Sequence, residues 1–531
     1  MPPTAVLLAL VLVLALLLLG RRRVTPWPDA PAWLGGPALP LIAGLCTAGL
    51  TVWIWGGLRP EATWHDEAAY RLQAEMLAHF RLARPGVAIP TAFTQAAVLV
   101  TPVVAPKMLP GHALLLVPGI WLQLPGLMPV LLVGAAAAML VLLSRRLAGP
   151  GVAILALACW TTQAGQQRWR ASYMSESTTA LCWLAGWWCL LEWRQHRQTR
   201  WLLALAVVTG LGAITRPLTM LAFAIPVGVV VLHDTIRSRR WPPLLAALAL
   251  GTLCLAAAPV QNRVTLGAWR QSPLTLYTAQ YLPFDRLGFG LDTTRGTLAL
   301  TPDLDRAMRE LRLRHQEHVP ARLPAILWQR LRVIGGSLFL GWRVVLLPAA
   351  VVGLVVLPMA GWFACGTALL LLLGYLSYAH EASWTAYYVE AMPVAAFVIA
   401  LGAAALLRRL TRTPRVPPLV AGGAALFLIA AMVPELLWAR HFSAARQAPV
   451  RRFTAAVHSA GAAGGLIFVH YAAGDDPHVS LVRNVADPRT AEVITVHDLD
   501  TATNRAVMAT MPSRPTWRYT VATGALERWT P

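Results

Sequence analysis

The sequence predicts an all-α polytopic membrane protein closed by a small C-terminal α/β domain, and three observations carry that prediction. Of the 531 residues, 57% are apolar and only 13% are charged, a balance foreign to soluble globules. Apolar runs long enough to cross ~30 Å of hydrocarbon recur through the first 440 residues. Beyond about residue 464 the pattern turns to short apolar runs bounded by Gly, Asp and Pro, the mark of strands.

The apolar runs fall near 5–20, 37–57, 126–144, 151–166, 178–193, 201–215, 218–233, 243–260, 343–359, 361–379, 388–407 and 418–438, which predicts twelve spans. The first is followed by Arg21, Arg22 and Arg23 and lacks a small-residue cleavage site. Residues 1–36 therefore read as an uncleaved anchor, its N-terminus outside, followed by a basic cytoplasmic loop. That orientation also places Arg145 and Arg146, Arg194, Arg197 and Arg200, Arg237, Arg239 and Arg240, and Arg408, Arg409, Arg412 and Arg415 inside, as the positive-inside rule requires. The formal charge of +21 is then an anchoring charge, not a nucleic-acid surface. The six cysteines lie in or beside apolar runs, without metal-ligand spacing, and read as small buried hydrophobes.

The membrane domain spans 37–440. Loops 58–125 and 261–342, short loops 167–177 and 380–387, and the tail 441–531 face outward. In the tail, Gly465–Tyr471, Glu492–His497 and Trp517–Val521 read as strands and 502–510 as a helix, with no active-site motif.

Candidate chemistry gathers on the outward face. Ala69, Leu72, Met76 and Phe80 recur at helical spacing, backed by the polar stripe Glu67, Arg71, Glu75 and His79. Such a helix lies along a membrane surface and holds Asp66 and Glu67 at its start. Thr63-x-x-Asp66 also fits a capping box, and first-turn carboxylates suit the helix dipole; capping and proton transfer coexist. Lys107, the single lysine, stands between Pro106 and Pro110; it either snorkels or binds a lipid phosphate as a point charge. Arg168, Arg170, Tyr173 and Glu176 fill a short outer loop, as a structural ion pair or a ligand site. Arg216, with almost no loop around it, is costly there unless paired or wetted and marks a cavity. Glu381, Tyr387 and Tyr388 lie in a further outer loop, where aromatics also serve as interface anchors.

These motifs resemble the GT-C superfamily of membrane glycosyltransferases, whose relatives include protein O-mannosyltransferases and lipid A aminoarabinose transferases. The resemblance runs through His65-Asp66-Glu67-Ala68-Ala69-Tyr70, Lys107-Met108-Leu109-Pro110-Gly111-His112, Ala171-Ser172-Tyr173-Met174-Ser175-Glu176, Thr215-Arg216-Pro217-Leu218-Thr219 and Tyr387-Tyr388-Val389-Glu390. It implies a GT-C-type bundle in a bacterial inner membrane that transfers a sugar from a polyprenyl-phosphate donor to a glycan, lipid or protein acceptor outside the cytoplasm. Asp66, with Glu67 beside it, becomes the base and Lys107 a contact to the donor phosphate. His112, Arg168, Arg170, Tyr173, Glu176, Arg216, Glu381, Tyr387 and Tyr388 become substrate contacts. Relatives often carry two prolines where this chain has Leu109-Pro110, and not all share the first span. The sequence establishes no cofactor; a divalent cation beside Asp66 and Glu67 is an open option, since carboxylates suit hard cations, although a third ligand is not evident. A lipid-linked-sugar transporter, or a non-catalytic scaffold for envelope glycans, stands as an alternative.

Overall fold

The computed structural model describes residues 34–339, 341–411 and 415–530. The span expected at 5–20, its flanking arginines and Arg412 lie outside the described residues. Helix α1 (Ala38–Trp55) stops at Gly56, whose φ of 83° is the left-handed conformation that ends helices. Ten residues later the surface helix α2 (His65–Ala78) begins, followed by a small sheet of β1 (Arg84–Pro85), β2 (Val98–Leu99) and β3 (Val103–Pro106) with β3 central. Next come α3 (Pro110–Trp121) and α4 (Leu127–Ala148). Where α1 crosses α4, a Cβ on Gly134 would lie 2.8 Å from the Gly44 carbonyl, so small residues let the two backbones touch.

The bundle continues with α5 (Pro150–Thr161), α6 (Ala164–Arg170), α7 (Glu176–His196), α8 (Thr199–Ala213), α9 (Pro217–Ser238), α10 (Trp241–Leu255) and α11 (Ala257–Leu266). Helices α12 (Pro273–Tyr281), α13 (Pro302–Glu317) and α14 (Leu323–Phe339) build the second long loop. Then α15 (Leu347–Val355), α16 (Met359–Gly374), α17 (Ala391–Thr411) and α18 (Pro418–Ala431) complete the apolar part. At its centre the rings of Trp183, Trp187 and Phe223 meet at 5.5–6.1 Å, packed tightly enough that Trp183 is fully buried.

The chain is an integral multi-pass membrane protein; eleven of the twelve expected spans fall on described residues, and helix length and composition support fewer. Among the described residues six helices are long and apolar enough to cross, or eight if two bent pairs count as spans. The difference has a simple cause. Helix α5 has 12 residues and α8 has 15, which at 1.5 Å per residue reach only about 18 and 22 Å. Helix α7 has the length, but Glu176, Glu192 and Arg194 lie within it.

The 27-residue helix α19 (Val433–Ser459) runs unbroken through residue 440, where the tail domain was expected to begin. It leads to a sheet of β4 (Leu466–His470), β5 (Ile494–His497), β6 (Thr516–Thr520) and β7 (Ala525–Arg528) in the order β5-β4-β6-β7. Strand β4 runs parallel to β5 and β6, with Leu466 opposite Ile494 and Thr516, while β7 returns antiparallel. Helix α20 (Thr501–Thr510) starts at Asp500, whose side chain accepts from the Thr503 N–H. This unit seats on the first long loop: His497 Nε2 lies 2.8 Å from the Thr94 carbonyl, Asn484 N donates to Gln95 Oε1 at 2.7 Å, and Arg483 donates to the Ala62 carbonyl at 2.6 Å.

Candidate active site

The segment leading into α2 is held from three sides. Gln447 of α19 accepts from Glu61 N at 3.0 Å and donates to the Trp55 carbonyl at 3.0 Å, joining the end of α1 to the start of the turn. Glu67 is 1% exposed. One of its oxygens accepts from Thr63 N, Thr63 Oγ1 and Trp64 N at 2.6–2.9 Å, and the other from Tyr173 N at 2.9 Å. The capping residue is thus Glu67 reaching back to Trp64, one position along from the Thr63–Asp66 pair. Both Glu67 oxygens are committed to local structure.

Asp66 differs in every respect. It is half-buried and has no hydrogen-bond or ion-pair partner among the described residues. Its charge acts on Tyr70, Glu176, Tyr277 and Tyr387, residues from four separate parts of the chain. Tyr277 of α12 is pushed well above the usual phenol range by burial, with Asp66 and Asp285 adding to the effect against its hydrogen bond to Ala97. Lys107 stands with its ammonium 5.1 Å from the centre of the Tyr277 ring, and its own N–H anchors to the Ala97 carbonyl at 2.9 Å. The neighbouring Met108 carbonyl accepts from Gln73 and Gln261 at 2.9 and 3.0 Å, so the lysine loop is tied to both long loops. Burial opposes ionisation of Asp285, but His315 beside it at 3.6 Å, the charge of Lys107 and a hydrogen bond from Tyr378 at 2.8 Å hold its carboxyl below the ordinary range.

The second basic group of the site is Arg216, which caps α9. Its guanidinium meets Glu176 at 3.0 Å, donates to the Ala386 carbonyl at 3.1 Å and lies 5.2 Å from the Tyr387 ring centre. Gly111 N bonds the Ile214 carbonyl at 3.0 Å, and a Cβ there would sit 2.4 Å from Thr215 Oγ1; only glycine lets the Lys107 loop approach Arg216 this closely. Glu176 Oε2 and Glu390 Oε2 are buried without partners. Buried acceptors left open in this way are uncommon and point to a ligand or ordered water.

The expected residues separate into two groups. Asp66, Lys107, Glu176, Arg216 and Tyr387 are linked by the contacts and charges just described. Tyr173 supports it from behind, with its hydroxyl donating to the Pro60 carbonyl at 2.9 Å. Both nitrogens of His112 are occupied, by Thr178 Oγ1 at 2.8 Å and the Tyr173 carbonyl at 2.9 Å, leaving neither for a substrate. Arg168 turns to the Ser383 carbonyl. Arg170 points into the bundle, bonds the Trp160 carbonyl at 2.7 Å and Gln163 at 2.9 Å, and lies over the Trp160 ring. Glu381 pairs with Arg314 at 2.6 Å, and Tyr388 pairs with His380 at 2.9 Å. Sequence reading passed over Tyr277 and Arg330; the latter is 1% exposed and holds the Tyr375 and Tyr378 carbonyls at 2.6 and 2.9 Å. An arginine inside the apolar run Ile326–Ile334 was the available signal for it. Among the described residues no three His, Cys, Asp or Glu side chains are grouped closely enough to hold a metal ion.

A helical bundle with such a cluster at one end has the fold of the GT-C membrane glycosyltransferases. The family described as dolichyl-phosphate-mannose-protein mannosyltransferase matches residues 123–260. The solved structure of ArnT from Cupriavidus metallidurans bound to undecaprenyl phosphate superposes with a TM-score of 0.50 at 12% identity, covering 93% of each chain. The same protein in its apo state gives 0.49 at 13% identity, covering 92% of this chain and 93% of that one. Arabinosyltransferase EmbB from Mycobacterium smegmatis gives 0.43 at 11% identity, over 83% of this chain and 43% of the other. No curated protein matches the chain.

Proposed function

We propose that the protein is a glycosyltransferase that moves a sugar from a polyprenyl-phosphate donor to an acceptor hydroxyl or amine on the extracytoplasmic face of a bacterial inner membrane. The observation that carries this reading is the carboxylate of Asp66, without a partner among the described residues, whose charge acts on Glu176 and Tyr277; the first pairs with Arg216 at 3.0 Å and the second lies 5.1 Å from the Lys107 ammonium. Asp66 takes the proton from the acceptor as the acceptor atom bonds the anomeric carbon. The bond from that carbon to the phosphate oxygen breaks, its electron pair leaving with the phosphate. Lys107 and Arg216 offset the growing negative charge; fixed cations aimed at a leaving group cost no reorganisation when it departs. Glu67, both of its oxygens occupied, positions Asp66 and takes no part in proton transfer.

The extracytoplasmic assignment rests on the arginine-rich loops at the opposite ends of the helices. The polyprenyl donor rests on the fold shared with ArnT, which was crystallised with undecaprenyl phosphate. The test is transfer from a radiolabelled polyprenyl-phosphate sugar in proteoliposomes. Wild-type protein releases free polyprenyl phosphate as acceptor is glycosylated, and the Asp66→Asn variant inserts but releases none. Full release by that variant overturns the base, and sugar translocation without polyprenyl phosphate release overturns the transferase.

A further inference from the structure

A cavity of about 570 Å³ lies among α4, α7, α9, α16 and α17, away from the site described above. The residues lining it are mostly apolar, among them Leu143, Leu184, Val394 and Phe397. Its mouth is marked by Met359 and Trp362, which are 83% and 51% exposed on the outer surface of the spanning helix α16. Three polar groups interrupt the apolar lining. The Ser144 hydroxyl and the Trp187 indole N–H are buried without a hydrogen-bond partner among the described residues, on side chains 1% and 9% exposed. The third is Arg194, whose guanidinium reaches Asp234 at 3.0 Å while Arg197 reaches the same carboxylate at 3.0 Å. Two cations on one anion leave a positive charge uncompensated at that end. Arg194 follows Glu176 by 18 residues on α7, about 27 Å along the helix.

We propose that this cavity is a binding site for an anionic glycerophospholipid. One acyl chain fills the apolar part, an ester carbonyl accepts from Ser144 and Trp187, and the phosphate lies against Arg194. Buried donors without acceptors are destabilising, and a lipid ester relieves both. A polyprenyl chain does not, since it carries no polar atom along its length, and its phosphate belongs at the Asp66 end of the helices. The occupant is therefore a phospholipid, not the tail of a sugar donor.

The experiment is native mass spectrometry of the full-length protein released from detergent, with phosphatidylglycerol titrated as the probe. Wild-type protein keeps one tightly held phosphatidylglycerol. Trp187→Phe and Ser144→Ala each remove one donor and weaken retention about tenfold, the effect of one lost buried hydrogen bond. Ala364→Trp fills the apolar part and abolishes retention. Equal retention by wild type and by the Trp187→Phe and Ser144→Ala variants overturns the site, as does stoichiometric displacement of phosphatidylglycerol by a polyprenyl phosphate. Retention is read without turnover and stays unchanged in Asp66→Asn, so failure here and failure of the transferase reading are separate results.

Discussion

Two buried arginine settings divide the molecule. Around Arg216 the guanidinium faces Glu176, and that carboxylate keeps one oxygen without a partner. Arg170 and Arg343, 2% and 0% exposed, pair with no carboxylate among the described residues. Arg343 instead bonds the Leu338 and Cys159 carbonyls at 2.7 and 2.9 Å and the Thr162 hydroxyl. The first arrangement has capacity to spare, so a ligand can enter by exchanging partners. The second spends its donors on backbone oxygens where short helices end: α5 stops at Thr161 and α6 begins at Ala164. A buried cation is thus either part of a site or a splice in the bundle, and the nature of its acceptors tells which.

The sharpest way to break this comparison is at the site itself. Asp66→Asn is expected to lower transfer ~10²–10⁴-fold, the usual share of a general base, with melting temperature unchanged because the side chain has no partner to lose; turnover and thermal unfolding check both halves. Arg216→Gln strands Glu176 without its counter-charge, so stability should fall by ~3–5 kcal/mol. The double variant Arg216→Gln with Glu176→Gln should recover much of that loss, and thermal unfolding of both decides it. Arg343→Met leaves three oxygens without donors but no charge unpaired. Its cost should be smaller, ~1–3 kcal/mol, with transfer by the folded fraction unchanged.

The smallest effect concerns His65, beside the proposed base. Burial, followed by the neighbouring His478, holds its pKa down at about 4; Asp303 and Arg483 also act on it. The folded state thus takes up this proton less readily than the unfolded chain. The stability that neutral His65 contributes is complete above pH 6.5 and drains away as the pH falls from 6.5 towards about 4. Melting temperature against pH should slope in that window, and less steeply in His65→Gln. An unchanged slope would remove His65 as the titrating group.

Much of the site was legible because single residues violated the rules of their surroundings. Arg216 between two apolar runs, and the one lysine between prolines, stand out on composition alone. Asp66 opening an amphipathic stretch is readable from periodicity. The partition between Asp66 and Glu67 was not readable, since it depends on Tyr173 arriving 106 positions later to occupy the second Glu67 oxygen. The setting of Arg170 was hidden for a related reason. Its place in an outer loop suggested a ligand contact, whereas the short helix α6 rotates it inward onto Trp160. The span count parts from helix length where apolar runs long enough by hydropathy are broken by helix ends, a matter of backbone geometry that hydropathy does not record.

The staple made by Gln447 bears on how such a protein can be rebuilt. A tail joined by a loose linker can be cut away or exchanged, as modular enzymes permit. Here the helix that carries the tail sheet also grips both ends of the turn before Asp66, and Arg483 beyond it grips Ala62. A graft from a relative must import the partner loop with the tail, or the base loses its bearings while the membrane helices remain intact.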